Sequence, residues 1–72
     1  MSEGATRLLH MLDSKPRLIS EAIGDFGGDA GRFASALHEV GTLVEVTGDG
    51  PMEDRMLQLT PAGRQQVRGL SN

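Results

Sequence analysis

Seventy-two residues with a net charge of −3 and no cysteine allow one small domain and exclude a disulfide framework or a Cys-ligated zinc site. At this size a single core supplies only about 3–5 kcal/mol, so the fold depends on its own apolar packing or on a partner subunit. The composition, 38% hydrophobic and 24% charged, is that of a globular chain; with no long apolar run and no basic-then-apolar start, a cytoplasmic protein without a membrane span is expected.

Residues 1–4 read as a frayed start. From Ala5 to Leu12 the apolar residues Leu8, Leu9 and Leu12 form one helical stripe. Asp13-Ser14-Lys15-Pro16 ends it, because the residue before a proline is pushed away from helical angles. Leu18, Ile19, Ala22, Ile23 and Phe26 return to helical spacing, and two starts compete. Either the helix begins near Pro16, or an extended piece over Arg17–Ile19 leads to a helix N-capped by Ser20. Gly27-Gly28 ends it in both cases. A third helix is expected to start at Asp29, whose carboxylate can accept from an orphan amide, and to bury Phe33, Ala36, Leu37 and Val40. Gly41 is placed to stop it.

Beyond Gly41 the period changes from helical to extended. Leu43-Val44-Glu45-Val46-Thr47 and Arg55-Met56-Leu57-Gln58-Leu59 read as two strands of a hairpin, joined by a loop through Gly48-Asp49-Gly50-Pro51. Thr60-Pro61 then opens a last helix, with threonine as the cap and proline at the first helical position. Val67 and Leu70 give that helix its apolar side. The whole is an α+β fold of three helices, a hairpin and a C-terminal helix. The expected core is Leu8, Leu12, Ile19, Ile23, Phe26, Phe33, Leu37, Val40, Leu43, Val46, Leu57, Leu59 and Val67.

Catalytic and metal-binding patterns are missing. His10 and His38 lie on different helices, and Thr42 stands where the second histidine of a zinc-protease pattern would be. Gly24, Gly27, Gly28 and Gly31 lack the lysine and hydroxyl of a phosphate loop, and Asp49, Glu53 and Asp54 lack the alternating spacing of a calcium loop. Ser14, Ser20 and Ser35 have no evident base. A non-enzymatic binding module with no cofactor and no metal is expected.

Leu37-His38-Glu39-Val40-Gly41-Thr42-Leu43-Val44-Glu45, then Asp54-Arg55 and Leu59-Thr60-Pro61-Ala62-Gly63-Arg64, resemble the end of the recognition helix, the wing and the next helix of the MarR and PadR bacterial regulators. The resemblance covers roughly residues 20–66 and implies a single winged helix-turn-helix domain over 1–72 that regulates transcription on double-stranded DNA. It departs from the family in two respects: there is no room for the long dimerising helices, and the wing tip carries acids where the family presents an arginine. In such a motif the third helix would enter the major groove with Arg32 and Ser35 facing base edges, and Arg55 would reach a phosphate or the minor groove.

The charge runs against this. Between Ser20 and Arg55 eight acids face two bases, a net −6, while the rest of the chain carries five bases and two acids, +3. Phosphate contact supplies most non-specific affinity, so a DNA reader is expected to be basic. Two arrangements would reconcile them. The acids could turn inward to cap helices or pair with arginines, or a homodimer could gather Lys15, Arg17, Arg32 and Arg55 on one face. The alternative is a protein-binding module, an adaptor, inhibitor or DNA mimic, whose acidic residues Asp49, Glu53 and Asp54 dock on a basic protein partner.

Overall fold

The computed structural model describes residues 2–70, without the side chain of Leu70, so the expected apolar role of Leu70 on the last helix lies outside the described residues. Helix α1 (Glu3–Ser14) is followed by strand β1 (Arg17–Leu18), helix α2 (Ile19–Asp25), helix α3 (Ala30–Val40), strand β2 (Val44–Thr47), strand β3 (Met56–Leu59) and helix α4 (Pro61–Leu70). One turn of 3-10 helix precedes β2, and another, Met52–Asp54, lies in the hairpin loop. The strands form an antiparallel sheet in the order β1–β3–β2, so the molecule is a small α+β domain of four helices and a three-stranded sheet.

Helix α1 begins at Glu3, earlier than expected, because the Ser2 hydroxyl accepts from the Ala5 amide at 3.2 Å and caps it. The extended piece after Pro16 is real but shorter, and Leu18, not Ser20, occupies the cap position of α2. Leucine has no acceptor to offer. Instead Glu21 reaches back, its Oε1 accepting from the Leu18 amide at 3.3 Å, and Ser20 falls within the first helical turn. The carbonyl of Arg55 accepts from the Ile19 amide at 3.0 Å, tying this junction to the foot of the hairpin loop.

Gly27 and Gly28, with φ of 71° and 77°, turn the chain from α2 into α3, and Asp29 caps α3 by accepting from the Arg32 amide at 3.1 Å. The rings of Phe26 and Phe33 meet edge to face across this turn, with centroids 6.1 Å apart. Gly41 stops α3 with φ 53° and ψ −119°, a conformation closed to residues with a side chain. Thr60 performs its expected capping role and adds a second. Its hydroxyl accepts from the Gly63 amide at 3.2 Å and donates to the Thr42 carbonyl at 2.8 Å, so α4 is stapled to the chain entering β2.

Cross-strand partners share a face, so Arg17, Leu57 and Val46 lie in one row on the side of the sheet that also carries Val44 and Leu59. The core gathers Leu8, Leu9, Leu12, Ile19, Phe26, Phe33, Val40, Val44, Leu57, Leu59 and Val67, with Ala5, Ala22 and Ala36 filling its narrow places. Four expected members are corrected. Ile23, Leu37 and Leu43 are half-buried at its margin, and Val46 is 37% exposed. Val46 points to the core side, but it sits on an edge strand towards the hairpin loop, whereas α4 packs at the other end against the turn over 41–43. Among the described residues no helix is long and apolar enough to cross a membrane.

Candidate nucleic-acid interface

The apolar stripe of α3 (Phe33, Ala36, Val40) is turned into the core against α1, which leaves Arg32, Ser35 and Glu39 on an exposed flank beside that stripe. The Arg32 side chain is 79% exposed and stands 3.7 Å from the Asp29 carboxylate, the only ion pair among the described residues. Asp29 therefore serves twice, one oxygen capping α3 and the other facing the guanidinium. An exposed pair of this length holds Arg32 loosely, worth at most about 1 kcal/mol.

A cleft of about 620 Å³ opens between the start of α1 and this face of α3, and Arg32 and Ser35 both line it. Phe26 and Ala36 supply its apolar part; Glu3, Arg7, Asp29 and Glu39 supply charge. The Ser2 amide donates to Glu39 at 2.6 Å and fastens the first turn of α1 to the last turns of α3. Hydrogen bonds from the Ser2 amide, then from its side chain, hold the Glu39 carboxyl below its ordinary range.

The other expected contact residues lie elsewhere. Arg55 is half-buried at the foot of the hairpin loop, where its Nε donates to the Gly50 carbonyl at 3.0 Å. Lys15 is exposed at the end of α1. Arg17 sits opposite Leu57 with its Nε buried and without a hydrogen-bond partner. None of these three lines the α3 cleft. One chain thus brings together Arg32 and Ser35, and keeps Lys15, Arg17 and Arg55 around β1 and the hairpin foot.

All eight acids between Ser20 and Arg55 are exposed. Glu21 and Asp29 do cap helices, and Glu45 bonds the side chain of Gln58 on the neighbouring strand. They do so in water, and among the described residues only Asp29 forms an ion pair with an arginine. Asp49, Glu53 and Asp54 project from the hairpin loop without an ion pair among the described residues, and Arg55 bonds a backbone carbonyl instead. His10 and His38 are exposed on separate helices, and no three ligating side chains among the described residues come together as a metal site would require.

Arg7 was not singled out from the sequence. The signal was there: a stripe of Ala5, Leu8, Leu9 and Leu12 turned to the core leaves Glu3 and Arg7, four apart, on an exposed flank of α1. Which helix that flank faces is a tertiary fact. Comparison with protein-family models, with curated proteins and with solved structures gave no match.

Proposed function

We propose that this chain is a winged helix-turn-helix domain that binds duplex DNA as a small transcriptional regulator, with α3 in the major groove and the β2–β3 loop as a wing against the backbone. The strand order carries the reading. A two-residue strand between α1 and α2 pairs with the far strand of a hairpin, and a two-glycine turn leads from α2 into α3. Helix, short strand, helix, turn, helix, hairpin is the chain order of that motif, and Arg32 is the residue on α3 with the fork that suits guanine. A homodimer doubles acids and bases alike, and serves this reading by gathering Lys15, Arg17, Arg32 and Arg55 of the two copies on one face.

Those carboxylates favour a second reading, an acidic module that docks on a basic protein. The two part on Arg32. In the DNA reading Arg32→Ala weakens binding at one base position by about 1–3 kcal/mol, some 5- to 150-fold, and relaxes specificity there. Titration of a duplex series carrying every base at each position measures it. Equal weakening for all duplexes would remove α3 from the groove, and partner capture unchanged by Arg32→Ala alongside no DNA binding would establish the protein-binding module.

A further inference from the structure

Arg7 stands on α1 across the cleft from Arg32 and Ser35. It is exposed, and among the described residues it has no ion pair. The three carboxylates at the same cleft differ in what they are free to do. Asp29 is engaged by the amide and the guanidinium of Arg32, and Glu39 by the amide of Ser2. Glu3 alone of the three carries no hydrogen bond or ion pair among the described residues. The cleft therefore holds one unengaged guanidinium, one loosely held one and one unengaged carboxylate over the apolar floor of Phe26 and Ala36.

We propose that this cleft seats a backbone phosphate of bound DNA, with Arg7 contacting it from α1 while Arg32 reaches the groove from α3. The inference rests on the DNA-binding reading above and adds a contact from a different helix. Phosphate contacts fix register and orientation and carry no base information. A guanidinium suits a phosphate because its N–H groups can bond two oxygens at once. Because the Ser2–Glu39 bond holds α1 to α3, a phosphate gripped by Arg7 sets the angle at which α3 lies. Glu3 and Glu39 repel the same phosphate, as does whatever charge of Asp29 Arg32 leaves unbalanced, and together they limit the strength of the contact.

The test uses the full chain and mixed-sequence duplex DNA over a range of salt concentrations. Arg7→Ala is expected to lower affinity about five- to tenfold at low salt, alike for every sequence, and to flatten the salt slope by about one unit. Arg7→Lys, which keeps the charge, should restore most of the slope. Glu3→Gln should tighten binding about two- to threefold. Arg7 is exposed, so an unchanged thermal midpoint identifies the loss as one of contact rather than folding. Wild-type binding with slope and affinity unaltered in Arg7→Ala overturns this inference and leaves the DNA reading standing. A loss confined to one base position overturns it too, by making Arg7 a base reader. No binding by the wild type at low salt removes both.

Discussion

Replacing Gly63 with alanine is expected to cost about 2–3 kcal/mol, most of what a domain of this size has. Alanine is ordinarily the better helix former by about 1 kcal/mol, so the sign is opposite to the intrinsic preference. Gly63 lies in the first turn of α4, buried against the chain entering β2. A Cβ there would collide with the Leu43 carbonyl oxygen, and would stand 3.0 Å from the carbonyl carbon and 3.2 Å from the Leu59 side chain. Backbone cannot swing aside as a side chain does. The same Leu43 oxygen accepts from the Thr60 amide at 3.0 Å, so moving it also strains the cap that starts α4. Gly69 provides the control, because a Cβ there meets nothing within 4 Å. Gly69→Ala should be neutral or stabilising by up to about 1 kcal/mol. Urea denaturation of the pair measures both, and a Gly63→Ala midpoint at or above wild type would show that α4 does not lie against Leu43.

Leu57→Ala should be equally damaging, at about 2–5 kcal/mol. Leu57 is fully buried in the middle strand, between Arg17 on one side and Val46 on the other. Removing it opens a cavity where the sheet meets the helices, and every strand of the sheet borders it. Leu37 is half-buried at the margin of the core, so Leu37→Ala should cost roughly half as much. Thermal unfolding of the two variants ranks them, and a larger loss at Leu37 would mean that the rotation of α3 is different.

Local chemistry made much of this fold legible. Asp29 as a cap, Gly41 as a stop and Thr60-Pro61 as a start each act on neighbours within four residues, and each works as its residue type implies. The third strand was legible only as an extended piece. Two residues have no period, and their pairing with β3 joins positions forty apart, a contact that spacing along the chain does not encode. The inward strand face was read correctly for Leu57 and Leu59, whereas the exposure of Val46 depends on where the helices end. Gly63 showed itself as part of a motif and not as a packing constraint, because what it touches is the carbonyl of a residue twenty positions earlier.

The binding face divides in the same way. Arg32 and Ser35 follow from the stripe of α3, since an amphipathic helix shows water whatever it does not bury. That Lys15, Arg17 and Arg55 stand apart from them, and Arg7 beside them, depends on how α1 and β1 pack. The eight carboxylates were visible from the start, and their exposure leaves the acidity of residues 20–55 unrelieved in a single chain.

The central claim is that this acidic half of the chain nonetheless meets DNA, and the hairpin loop provides the most direct measurement. Asp49, Glu53 and Asp54 are exposed there and carry no ion pair among the described residues, so changing them to Asn, Gln and Asn removes three negative charges with little effect on the fold. Mixed-sequence duplex DNA is titrated at low salt into the wild type and into this triple variant. The account predicts measurable binding by the wild type and clearly tighter binding by the variant, because repulsion from the phosphates has been removed. No detectable binding by either protein would contradict it and leave the acidic surface as a docking site for a basic protein.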